Sequence, residues 1–169
     1  MEMNVAQLLK EPIGSTRNYE IDEVVDVTGE GSSRRVIGKV KLQRTQQGIL
    51  VKGELHTEVG LTCSRCLRSF TCPVEINFEE EYIPTIDIVT GIPLSSPEEA
   101  GDFLIDEHHV IDLTEAIRQY TLLAMPMKPL CREDCAGLCQ ECGHNLNQGP
   151  CGCPVRVIDP RWSKLSKLL

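Results

Sequence analysis

The sequence predicts an α+β protein with an antiparallel β-rich N-terminal part, a helix, and a Cys-rich C-terminal segment clamped by metal. Three observations predict it. Apolar and polar residues alternate across residues 19–82, apolar residues recur at helical spacing after Asp112, and six cysteines crowd into residues 131–153. At 169 residues the chain suits a single domain spanning 1–169.

The elements follow in order. The first 18 residues mix a short apolar stretch with Pro12, Gly14, Ser15 and Thr16, and read as a lightly structured lead-in. From Tyr19, a β-branched run over Ile21–Val27 ends at Gly29 and Gly31, which predicts a strand and a turn. Val36, Gly38, Val40 and Leu42 then fall on one face of a second strand, with Arg35, Lys39, Lys41 and Gln43 on the other. Thr45–Gly48 supplies a turn, and Ile49–Leu61 reads as the returning strand of a hairpin. Cys63-Ser-Arg-Cys66 comes next, before a strand that puts Phe70, Cys72, Val74, Ile76 and Phe78 on one side. Residues 84–102, with three prolines, two glycines and several acids, predict an exposed acidic loop. Residues 112–169 are expected to hold two helices flanking the cysteine cluster. The first starts at the capping-box-like Asp112-Leu-Thr-Glu115, buries Leu113, Ala116, Ile117, Tyr120 and Ala124, and stops by Pro126. The second starts at Asp159-Pro160 and packs through Trp162, Leu165 and Leu168.

Charge is segregated along the chain. The net charge is -8, yet residues 31–52 hold six cations and no acid, while residues 69–117 hold twelve acids and no Lys or Arg. A basic strand face centred on Arg35, Lys39 and Lys41 is the expected contact for an anionic partner. No apolar run nears the roughly 18 residues needed to cross a bilayer, and the N-terminal stretch lacks the basic and apolar regions of a secretory leader, so a cytoplasmic location is expected.

Nine cysteines in such a chain point to metal or thiol chemistry rather than to disulfides. The spacings in residues 131–153 are x3, x3, x2, x8 and x1, and Cys139-Gln-Glu-Cys142-Gly143 has the form of a zinc knuckle, whose glycine accepts a backbone conformation that a Cβ would strain. One Zn2+ is expected. Spacing leaves two ligand sets open: Cys131, Cys135, Cys139 and Cys142, or the knuckle pair with Cys151 and Cys153. An iron-sulfur cluster would use the same thiolates, but its usual spacings are not matched. A lone histidine in a Gly/Asn loop is more often solvated than ligating, which is the reading for His144. Cys63 and Cys66 are a possible second metal site with Cys72, a share of the same cluster, or structural thiols. A redox motif would place a helix after them, and this sequence places a strand.

No catalytic constellation is present. The acid runs Glu79–Glu81 and Glu98–Glu99 read as solvated, His108 and His109 lack a nearby nucleophile, and no nucleotide-binding motif occurs, so no enzyme is expected and no small-molecule substrate.

Four segments in this order, Cys63-Ser-Arg-Cys66, Gly137-Leu-Cys-Gln-Glu-Cys-Gly143, Asn145-Leu-Asn147 and Asp159-Pro-Arg-Trp-Ser-Lys-Leu165, resemble those of the YceD-like family, the large ribosomal RNA subunit accumulation proteins. Gln140 departs from the proline found there in many relatives, at a position that shapes the turn without coordinating. The resemblance implies a non-catalytic role in accumulation of large-subunit ribosomal RNA and ribosome assembly, with an RNA precursor or a ribosomal protein as partner and no membrane. Two other readings stay open, a CxxC thiol oxidoreductase and an RNA-binding zinc module. Against the last, the cluster region holds Arg132 as its only cation, and the chain has seven aromatic residues for stacking.

Overall fold

The computed structural model describes residues 1–29, 31, 33–94, 103–154 and 161. It divides into two compact units, the first Met1–Leu61 with Phe70–Met127, the second Thr62–Ser69 with Lys128–Leu169. The predicted C-terminal helix with Trp162, Leu165 and Leu168 lies outside the described residues, as does part of the acidic loop.

The first unit is mostly sheet. Its elements are β1 (Glu2–Asn4), α1 (Ala6–Lys10), β2 (Thr16–Asp26), β3 (Ser33–Arg44), β4 (Ile49–Thr62), β5 (Ser69–Pro84), β6 (Leu104–Ile105), β7 (Val110–Asp112) and α2 (Thr114–Ala124). The strand order is β1-β7-β6-β5-β4-β3-β2. The β2–β3, β3–β4, β6–β7 and β1–β7 pairs are antiparallel. Between β4 and β5, Gly48 lies against Tyr82, Gly53 against Phe78 and Lys52 against Glu79, so these strands also run in opposite directions. One parallel pair lies beyond the residues 19–82 read as antiparallel, where Ile83 and Pro84 pair with Leu104 and Ile105. The lead-in is also more ordered than its composition suggests, since β1 docks on β7 and α1 buries Leu8 and Leu9.

Alternation sets the buried face as expected. Val36, Val40 and Leu42 of β3, Ile49, Val51, Leu55 and Val59 of β4, and Val74, Ile76, Phe78 and Tyr82 of β5 form the core with Ala116 and Ile117 of α2. At Gly53, which falls on the inward face, a Cβ would stand 2.2 Å from Phe78 Cε1, so the missing side chain makes room for the ring. The β2–β3 turn is held by Asp26, whose carboxylate accepts the N–H groups of Thr28, Gly29 and Gly31. Those donors, Gly31 foremost, hold its pKa below the ordinary value despite some desolvation.

The start of α2 departs from the predicted capping box. The Asp112 carboxylate does accept the Thr114 N–H at 2.9 Å, but Leu113 occupies the N-cap position and Glu115 turns to Arg118 and Gln119. Farther along, Ala124 is exposed and Thr121 is buried in its stead, its hydroxyl donating to the Ile117 carbonyl at 2.6 Å. No helix among the described residues is long and apolar enough to cross a membrane.

Candidate metal centres

Both CxxC segments fold into the same turn. In the first, between β4 and β5, the Cys63 N–H donates to the Arg68 carbonyl at 2.9 Å and the Leu67 N–H to the Cys63 carbonyl at 3.0 Å. In the second, the Cys139 N–H donates to the His144 carbonyl at 2.8 Å and the Gly143 N–H to the Cys139 carbonyl at 2.9 Å. The residue after the second cysteine must turn left-handed: Gly143 does so at φ 73°, and Leu67 at φ 55°. The knuckle glycine is therefore legible in one motif and disguised by a leucine in the other.

The rest of the second unit is tied to the first knuckle by hydrogen bonds. The Ser64 N–H donates to the Pro129 carbonyl at 2.8 Å, and Arg65 Nη1 donates to the Cys135 carbonyl at 3.0 Å. Gly137, at φ 76°, passes so close that a Cβ would lie 3.3 Å from the Arg65 carbonyl oxygen. These contacts bring four sulfurs together. Cys63, Cys66, Cys131 and Cys135 form one group and Cys139, Cys142, Cys151 and Cys153 another, with all ligand atoms of each group within 4.8 Å of one another.

Sequence spacing left two partner sets open for Cys139 and Cys142, and left Cys63 and Cys66 between a metal site and structural thiols. Cys131 and Cys135 join the Cys63–Cys66 knuckle, so the set Cys131, Cys135, Cys139 and Cys142 is divided between two groups. The set with Cys151 and Cys153 is assembled as one. Cys72 and His144 belong to neither group. Asn147 has a role that sequence alone did not reveal. Its Nδ2 donates to Cys135 Sγ at 3.4 Å and to Asn145 Oδ1 at 2.7 Å, while its Oδ1 accepts the Ala136 N–H at 2.8 Å. One side chain following the second knuckle therefore supports a sulfur of the first group.

The sulfur spacing has a chemical meaning. Cys63 Sγ lies 3.8 Å from Cys135 Sγ, and Cys66 Sγ lies 3.7 Å from Cys131 Sγ. A disulfide would hold them at about 2.05 Å. A tetrahedral ion with metal–sulfur bonds of about 2.3 Å sets its ligands about 3.8 Å apart. Protonation points the same way. The N–H groups of Cys131, Cys66 and Arg65 aim at Cys63 and bring its thiol down to about 6, while burial and the neighbouring sulfurs push Cys131 up to about 12. In the other group the N–H groups of Cys142 and Glu141 bring Cys139 down to about 6, and Cys153, hydrogen-bonded to Cys142 and desolvated, goes up to about 12. Four adjacent sulfurs do not all ionise without a cation, and each group could hold a metal ion.

The basic run looks different in space. Arg35 pairs with Asp22 through two bonds of 2.7 Å, Lys52 pairs with Glu79 at 2.7 Å, and Arg44 donates to the Gly48 carbonyl at 2.8 Å. Register sets Lys39 between Glu20 and Glu54, and Lys41 between Asn18 and Lys52. Acids of the flanking strands therefore interleave with cations that are uninterrupted along the chain.

A β-rich sheet unit and a second unit with two four-cysteine groups, each able to hold a metal ion, define the class of protein. The family model described as "Large ribosomal RNA subunit accumulation protein YceD" matches residues 51–169, from within β4 through both centres, and the chain belongs to that family. It is similar to uncharacterized proteins of Mycobacterium tuberculosis, at 31% identity over 77% of this chain and 60% of the relative, and of Mycobacterium leprae, at 29% over 77% and 57%. A maize protein named "Large ribosomal RNA subunit accumulation protein YCED homolog 1, chloroplastic" is 27% identical over 79% of this chain and 54% of its own length. The chain thus spans little more than half the length of these relatives. No solved structure matches significantly.

Proposed function

We propose that the chain is a non-catalytic cytoplasmic factor that supports accumulation of large-subunit ribosomal RNA, and that each four-cysteine group holds one structural zinc ion. The sulfur spacing near 3.8 Å carries the metal part in the Cys63 group, and the gathering of four sulfurs within 4.8 Å of one another carries it in the Cys139 group, because four thiolates close a tetrahedral zinc site without leaving a position for water. Bound zinc would supply a charge-neutralising cross-link, and these residues would keep their places. Family membership supports the ribosomal part. The burial of Cys63 and Cys66, 0% and 5% exposed, weighs against a thiol oxidoreductase, whose attacking sulfur must be reached.

Elemental analysis after anaerobic purification should give two zinc ions per chain. The Cys139→Ser, Cys142→Ser variant should retain one. A single ion in the wild type, or two in the variant, would refute the assignment. In the host, depletion should lower large-subunit ribosomal RNA relative to small-subunit RNA, and a normal ratio would end the ribosomal reading.

Of the cations proposed to meet an anionic partner, Lys39 and Lys41 hold no ion pair among the described residues. Reversing Arg35, Lys39 and Lys41 to Glu should lower cosedimentation with large-subunit assembly particles, most clearly at low salt. Equal cosedimentation of variant and wild type at low and moderate salt would remove this face from the partner surface.

A further inference from the structure

The seven-stranded sheet ends in β1 on one side and β2 on the other, and both ends border one cleft of about 260 Å³. Backbone bonding shows which groups these edges offer. The Ser15 carbonyl accepts the Arg44 N–H, so inward bonding to β3 falls on Ser15 and alternate residues after it, and the N–H and C=O of Asn18, Glu20 and Asp22 point off the edge. On β1, Met1 and Val5 bond toward β7 through Leu113 and His109, which turns the backbone of Glu2 and Asn4 outward. None of these outward backbone groups has a backbone partner among the described residues. An 11-residue edge of this kind, unprotected by a proline or a lysine, is a template for another strand.

The cleft also selects its occupant. Met3, Tyr19 and Ile21 line its apolar part, and Glu2, Glu20 and Glu23 line its rim with no Lys or Arg among the lining residues. Those three carboxylates are exposed and have no ion pair among the described residues. We infer that this cleft binds an extended polypeptide segment of a partner protein by strand addition, with basic side chains alternating with apolar ones. The segment's backbone pairs with β2, its apolar side chains meet Tyr19 and Ile21, and its Lys or Arg side chains, on the opposite face, reach Glu20 and Glu2. The rim repels a phosphate backbone. The inference rests on the assembly reading only for the partner's source, a protein of the assembling particle. The cleft itself belongs to the sheet unit and needs no metal.

The test uses the full chain and a fluorescein-labelled eight-residue peptide of alternating Lys and Val, followed by anisotropy. Binding should be saturable. Glu2→Lys with Glu20→Lys should weaken it about tenfold, equivalent to about 1.4 kcal/mol. A peptide N-methylated at every second residue, with identical side chains, should not bind. Glu20→Pro removes an outward N–H without touching the β2–β3 ladder and should also abolish binding. Should that variant misfold, the N-methylated peptide on the wild type answers the same question. The inference is overturned by any of four results: no binding of the Lys/Val peptide, equal binding of the N-methylated peptide, equal binding of a Glu/Val peptide, or displacement by a twelve-nucleotide oligouridine. Self-association of the chain that Glu20→Lys abolishes would also overturn it, giving the edge to a second copy. A chain that binds the peptide in this pattern but leaves ribosomal RNA unchanged on depletion would sink the assembly reading alone.

Discussion

Removing metal should unfold the two-cluster unit and leave the sheet unit folded. The reason lies in what each unit buries. The hydrophobic core is drawn wholly from residues of the sheet unit, whereas in the other unit the buried side chains among the described residues are Cys63, Cys66 and Cys135. The described residues of that unit form no apolar core of their own to offset the conformational entropy of folding, so the proposed metal would supply the difference. Structural zinc sites contribute about 10–16 kcal/mol in small domains, far more than the handful of hydrogen bonds around Arg65 and Asn147. Chelator-treated protein should therefore be cut first by protease within residues 128–154, while residues 1–61 and 70–127 persist as a resistant core. Cys66→Ser with Cys131→Ser should reproduce this without chelator. The groups should also empty in order, because Cys142 is exposed and the Cys63 group is mostly buried. Even cleavage along the chain, or loss of the sheet's circular dichroism on chelation, would show that the units do not fold separately.

How much of this was legible in sequence depends on the range of the interaction. The alternation of Val36, Val40 and Leu42, and of Val74, Ile76 and Phe78, reports local geometry, and the strands lie where it puts them. The two CxxC turns are local as well. Which pairs come together is not, because Cys63 meets Cys135 only after the whole of β5 and α2 has intervened. Spacing inside residues 131–153 therefore made neighbours of Cys135 and Cys139, which the fold assigns to different groups. The three-residue β1 and β7 and the two-residue β6 are too short to show a period, and their pairing is decided by the sheet they join. The basic run is uninterrupted only along the chain, for a related reason. A linear window sees β3 alone, but a side chain on a sheet has cross-strand neighbours, and here they include Asp22, Glu20 and Glu54.

Replacing Tyr82 with Ala should cost the sheet unit about 3–5 kcal/mol, the range for deleting a fully enclosed aromatic side chain. Tyr82 is 0% exposed, and its ring meets Phe103 edge-on with centroids 5.4 Å apart. It sits on β5, whose neighbours are β4 and β6, so a void there is bordered by strands that cannot collapse into it without losing register. The hydroxyl contributes less. Its bond to the Asp112 carbonyl is long, at 3.3 Å, and Tyr82→Phe should cost below about 1 kcal/mol. The two variants differ in alkali. Burial first, and then the carboxylates of Asp112 and Glu80, raise the Tyr82 pKa above its ordinary value of 10. The unfolded chain therefore loses this proton at a lower pH than the folded one. Stability is fully present below pH 10 and declines as the pH climbs above it. Tyr82→Phe removes that decline, so urea midpoints of wild type and Phe variant should converge or cross above pH 10 while the Ala variant stays low. A Tyr82→Ala loss under about 1 kcal/mol at pH 7, or parallel alkaline profiles for wild type and Tyr82→Phe, would show that the ring is not enclosed as described.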